Sequence, residues 1–124
     1  DPTTPVLKSE IVDEVGGFTK LGWARDVHVS GNYAYVTGNV DNALTIIDIS
    51  DPANPVLKSE IVDGVNGFTK LAETSQVYVS GNYAYVTSYI DNALTIIDIS
   101  DPANPVLKAE IVDEVGGFTK LGGS

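Results

Sequence analysis

Tyr33 to Leu57 reads YAYVTGNVDNALTIIDISDPANPVL, and the reading of this stretch decides the fold. Its centre, Ala43 to Ile49, holds Leu44, Ile46, Ile47 and Ile49, a β-branched run that is apolar on both faces. That pattern suits a strand buried between two neighbouring sheets. Asp41-Asn42 before it is turn chemistry, and Ser50-Asp51-Pro52-Ala53-Asn54-Pro55 after it places two residues without an N–H where a ladder would need donors. Working outward, Tyr33 to Thr37 is a second strand, joined through Gly31-Asn32 to a first at Asp26 to Ser30. Two residues that tolerate positive φ between alternating apolar runs predict a tight hairpin. Downstream, Val56 to Asp63 mixes Lys58 and Glu60 with apolar residues, as a solvent-facing edge strand does. A helical reading fails, because Val, Ile, Thr and Tyr dominate these runs and Gly or Pro interrupts them at short intervals.

The pattern then repeats. Residues 1–50 align without a gap on residues 51–100 with about three-quarters of positions identical, and residues 101–124 begin a third copy that stops midway. The second set of strands falls at Gln76 to Ser80, Tyr83 to Thr87, Ala93 to Ile99 and Val106 to Asp113. Four antiparallel strands in about 50 residues is the length of one blade of a β-propeller. The chain is therefore all-β, with 1–23 a partial unit carrying an outer strand, 24–73 a first blade and linker, and 74–124 a second blade and tail.

Within this frame, YAYVTGNVDNALTIIDISDPANPVL closely resembles the LVIVD repeat. Leu44-Thr45-Ile46-Ile47-Asp48 matches the string that names the family, and Ser50-Asp51-Pro52 matches the turn that follows it. The match recurs at Tyr83 to Leu107; Thr45 stands where the family has valine, a β-branched exchange that leaves the strand intact. The resemblance implies propeller blades from bacterial or archaeal proteins, often at the cell surface, with no established general activity. It supplies no catalytic residues, and it is the ground for expecting an extracellular or cell-surface parent protein.

Two blades cannot bend round to meet, since propellers typically have 4 to 8. A lone pair exposes apolar end faces of the kind that mark an interface. The chain is expected to recruit copies of itself, three or four in a ring of six or eight blades, with a filament or larger array as the alternative. Pro5 to Asp13 is a surplus fourth strand that duplicates Pro105 to Asp113, so the two ends of neighbouring chains compete for one edge.

Composition narrows the function. With 7 Lys and Arg against 17 Asp and Glu, a net charge of −10 repels phosphate backbones and anionic lipid surfaces, so no nucleic-acid partner is expected. No apolar run approaches the roughly 20 residues needed to cross a bilayer as a helix, so no membrane insertion is expected. Cysteine is absent, which removes thiol nucleophiles and cysteine zinc sites. Methionine is absent too, so Asp1 is no translation start, and the chain is expected to be either an engineered protein or a fragment of a longer natural one.

Differences between the two units cluster at Gly22, Trp23, Ala24, Arg25, Asp26 and His28 against Ala72, Glu73, Thr74, Ser75, Gln76 and Tyr78, and at Gly38 to Val40 against Ser88 to Ile90. In a blade these places lie on one face around the central channel, where loops on a rigid scaffold bind ligands, although turns also drift freely after duplication. Trp23, Arg25, His28, Tyr78 and Tyr89 are the candidate ligand-binding residues. Trp23 is either a stacking platform for a sugar or peptide, or ordinary cover for a blade junction. One histidine without a second and without cysteine is poor material for a transition-metal site. Asp41, Asn42, Asp48 and Asp51 offer oxygen ligands, but their spacing is not that of an EF-hand and fits turn formation. No nucleophile elbow, fixed carboxylate pair or phosphate-cradling loop is present. No catalytic residue, metal or cofactor is expected. The expected function is a non-catalytic, self-assembling scaffold of propeller blades; the alternative is an extracellular ligand-binding or adhesion domain that uses the channel face.

Overall fold

Two four-stranded antiparallel sheets make up the structure, a computed structural model that describes residues 3–113. The first sheet runs β1 (Ala24–Ser30), β2 (Tyr33–Gly38), β3 (Ala43–Asp48) and β4 (Val56–Val62) in spatial order; the second runs β5 (Thr74–Ser80), β6 (Tyr83–Ser88), β7 (Ala93–Asp98) and β8 (Val106–Val112). Among the described residues there is no helix. The tail after Asp113 lies outside the described residues.

Each sheet is a simple meander because its turns are strong. Ser30 pairs with Tyr33 across Gly31-Asn32, and Gly31 has φ +58°, where a side chain would be strained. Asn42 takes the left-handed conformation before β3, which asparagine tolerates better than most residues. In the β3–β4 turn, Asp51 accepts from Ala53 N at 3.1 Å and from Asn54 Nδ2 at 2.9 Å, while Asp48 accepts from Ser50 N at 2.8 Å. Asp98 and Asp101 repeat this set in the second sheet. These bonds hold all four carboxyl groups below their ordinary pKa: the backbone amide of Ser50 or Ser100 acts first on Asp48 and Asp98, the amide of Asn54 or Asn104 first on Asp51 and Asp101.

The core lies between the sheets. Tyr35, Leu44 and Ile46 of the first sheet pack against Val77, Val79, Val86 and Ile97 of the second, and Phe68 and Leu71 from the connecting segment close the outer part of the gap. Burial raises the pKa of the Tyr35 hydroxyl, with a smaller push from Tyr33. A smaller cluster covers part of the opposite face of the first sheet, where Phe18 and Leu21 pack on Ala34 and Ile47. Phe18 and Leu21 do there what Phe68 and Leu71 do between the sheets, fifty residues on. Thr45 and Thr95 are fully buried, and neither hydroxyl has a hydrogen-bond partner among the described residues. They fill the place of the family's valine as hydrocarbon would, with a polar atom left over.

One expectation needs correction. Pro5 to Asp13 does not form an outer strand: residues 5–12 carry no ladder. A fourth strand pairs with the third strand of its own sheet, and β3 and β7 already hold β4 and β8. The segment nevertheless sits where an outer strand would. Ser9 Oγ donates to Pro52 O at 2.6 Å, as Ser59 Oγ of β4 donates to Pro102 O at 2.8 Å. Thr19 donates to the Glu60 carboxylate, as Thr69 does to that of Glu110. Residues 5–22 thus lie on the first sheet as residues 55–72 lie on the second.

Candidate functional site

The junction between the sheets is where the residues that differ between the two units meet. Asp26, in β1, accepts from Val77 N of β5 at 3.0 Å through Oδ2. Thr37 Oγ1 donates to Ser75 O at 3.2 Å and itself accepts from Asp26 N at 3.0 Å. Asn39 Nδ2 donates to Thr74 O at 3.1 Å, and Thr74 Oγ1 lies 3.1 Å from Gly38 O and 3.0 Å from Ala43 O. Glu73 N donates to Asn42 Oδ1 at 2.7 Å. Asn39 and Thr74 are buried, so the bonds of their side chains satisfy groups that would otherwise be costly to desolvate. Fifty residues away the partners change: Gln76 stands for Asp26, Tyr89 for Asn39, and Ala24 for Thr74.

The two clusters of differences also meet within one blade. Gly22 N donates to Asp41 Oδ2 at 2.7 Å, Asn39 N to Trp23 O at 3.1 Å and Val40 N to Gly22 O at 3.1 Å. A Cβ on Gly38 would collide with the Lys20 carbonyl, so this residue lets the incoming segment approach β2. Between the blades, Arg25, Asn39, Glu73, Ser75 and Tyr89 line a pocket of about 190 Å³. Arg25 and Tyr89 are thereby brought together. His28 and Tyr78 form a second pair, with ring centroids 4.9 Å apart and planes tilted by 57°. Trp23 lies outside that pocket lining and is 76% exposed, so it is not core in the single chain.

Asp48 and Asp51 accept from amides two residues on, as turn chemistry requires. The side chains of Asp41 and Asn42 accept instead from the distant amides Gly22 N and Glu73 N, and tie the incoming segment and the neighbouring blade to this turn. Among the described residues no group of three or more His, Asp or Glu could hold a metal ion. Sequence reading placed the differing residues around a channel and missed that several of them bond across the blade junction. The signal was present in the pairs Asp26/Gln76, Asn39/Tyr89 and Ala24/Thr74, where one member serves the internal junction and the other an open end.

The two end faces are the two halves of that junction. On the first sheet, Val27 and Val29 are exposed beside Val36; on the second, Tyr85, Leu94 and Ile96 are only partly covered. Their equivalents Val77 and Val79, and Tyr35, Leu44 and Ile46, are the buried centre of the internal junction.

The comparisons agree with this architecture. No curated protein matches the chain. A crystal structure of a functionally unknown protein from Desulfotomaculum acetoxidans is similar in fold, with a TM-score of 0.60 at 16% identity over 80% of this chain. The chain spans 30% of the length of that protein. The LVIVD repeat model matches residues 21–63 and 72–113, one match to each sheet. With two such repeats, each a four-stranded sheet, the chain belongs to the LVIVD repeat family, whose repeats are of the β-propeller type.

Proposed function

We propose that this chain is a non-catalytic, self-assembling scaffold whose blades are completed into a closed propeller by further copies of itself, three or four in a ring. The observation that carries this reading is the complementarity of its ends: the exposed valines of β1 and the half-open face of β6 and β7 are the same surfaces that bury each other inside the chain. A face of this kind removing roughly 400 Å² of apolar surface contributes on the order of 10 kcal/mol before the entropy of association is subtracted. Head-to-tail docking closes where the rotation per chain divides a full turn and otherwise runs on as a filament. Light scattering on the purified protein tests the reading: a species at three or four times 13.1 kDa is expected, and a monomer at every concentration overturns it.

A second reading rests on the pocket shared by Arg25 and Tyr89 and on the exposure of Trp23. An extracellular or cell-surface binding module would use this face for a small polar ligand such as a glycan or peptide end. Binding to a glycan or peptide array that is lost in Arg25→Ala and Trp23→Ala, with particle mass unchanged, supports it. An array that stays blank disfavours it.

A further inference from the structure

Residues 5–22 already occupy, on the first sheet, the position that β4 and its linker occupy on the second; the paired bonds of Ser9 and Ser59 and of Thr19 and Thr69 fix that equivalence. A second copy docking its second blade onto this first blade would bring its own β8 to the same place. Two strands cannot share it, and the two are almost the same in sequence: PVLKSEIVDE at 5–14 and PVLKAEIVDE at 105–114.

We propose that assembly proceeds by strand exchange: residues 5–13 of one copy pair with β7 of the neighbouring copy and displace that copy's β8. This rests on the self-assembly reading above. Ser9 against Ala109 is the single difference within those ten residues, and it decides the contest. The cross-blade bond to the carbonyl of Pro52 needs a hydroxyl at this position; Ser9 makes it and Ala109 has none to offer. In the separate subunit the balance runs the other way. β8 is held on β7 by a full ladder and by the turn in which Asn104 Nδ2 donates to Asp101 at 3.0 Å. So β8 is the resident strand of the free chain and the N-terminal segment the resident strand of the assembly. The register follows from the β7–β8 ladder: Ile97, opposite Leu107, would face Leu7 of the neighbouring copy, and Asp98, opposite Val106, would face Val6.

Hydrogen exchange read by mass spectrometry on the unmodified protein tests the exchange directly, because Ser9 and Ala109 give the two segments different masses and Glu14 against Gly64 separates the first from β4. On assembly the amides of 6–12 are expected to slow by at least about tenfold and those of 106–112 to quicken by about as much. Protection retained at 106–112 with 6–12 unprotected, in a particle of assembled mass, overturns the exchange and leaves self-assembly standing. A monomeric mass in the same sample overturns both. The double variant Ser9→Ala, Ala109→Ser changes two exposed positions and is expected to reverse the pattern. A pattern indifferent to it overturns the role given to residue 9.

Discussion

Val27 and Val77 hold the same place in two sheets of nearly the same sequence, yet the first is 57% exposed and the second 5%. Val29 and Val79 differ in the same way. The opposite faces invert the relation, with Leu44 fully buried and Leu94 only partly covered. Strand pairing does not explain this, since the ladders match position for position in the two sheets. Burial here belongs to the neighbour and not to the blade. A residue that looks like a surface hydrophobe in one copy is the core of the molecule in the other, and the exposed member of each pair marks a surface built for a neighbour that the single chain lacks.

The largest effect comes from placing a charge on each member of one pair. Val79→Asp buries an unpaired carboxylate between the sheets and is expected to cost on the order of 4 kcal/mol or more, close to the whole stability of a small domain. Val29→Asp is expected to change subunit stability by less than about 0.5 kcal/mol and to leave the chain monomeric. Urea melts at a dilution where the wild type is dissociated, together with sizing at higher concentration, check both. Equal losses in the two variants would break the comparison.

A cavity reads the opposite faces in the same way. Leu44→Ala is expected to destabilise the subunit by about 2–5 kcal/mol. Leu94→Ala is expected to cost the dilute subunit less than about 1 kcal/mol, its main effect being weaker assembly, seen as a rise in the concentration at which the particle forms.

Much of this fold is legible in the chain itself, and the part that is not has a physical reason. The alternation in Tyr33 to Thr37, the doubly apolar Ala43 to Ile49 and the proline-bounded turn at Ser50 to Pro55 place every strand to within two residues, because each signal is local. Pro5 to Asp13 carries the same local signal and still forms no strand, since a ladder is a property of two segments and this one lacks its partner. The candidate site shows the same divide. Arg25 and Tyr89 do share a pocket, but the bonds from Asp26, Thr37 and Asn39 to β5 depend on how one blade sits on the next, which no single unit encodes.

Residues whose surroundings are the same in both blades should respond alike, which sharpens the comparison from the other side. Thr45 and Thr95 are both fully buried with an unpartnered hydroxyl, so Thr45→Val and Thr95→Val are each expected to stabilise the chain by about 1 kcal/mol, equally, in thermal melts. Unequal gains would show that the interiors of the two blades differ after all.

The smallest effect concerns the turns, which are exposed in both blades. Asp48, Asp51, Asp98 and Asp101 have folded pKa values depressed below their ordinary 3.8. Their contribution is therefore fully present above the unfolded carboxylate pKa of about 3.9 and is lost as pH falls through the lower folded values. The melting temperature is expected to fall on acidification below about pH 4, and Asp51→Ala and Asp101→Ala to reduce that fall by similar amounts. A fall that only one of the two variants reduces would mean that the turns are not equivalent.

The claim beneath all of this is that the two open faces are one interface cut in half. Electron-microscope class averages of the concentrated protein test it most directly, because they count blades. The account predicts a closed disc of six or eight blades, with the chain-to-chain and within-chain junctions alike in spacing. Isolated two-bladed particles, or pairs joined through the outer strands with β1 still bare, would contradict it.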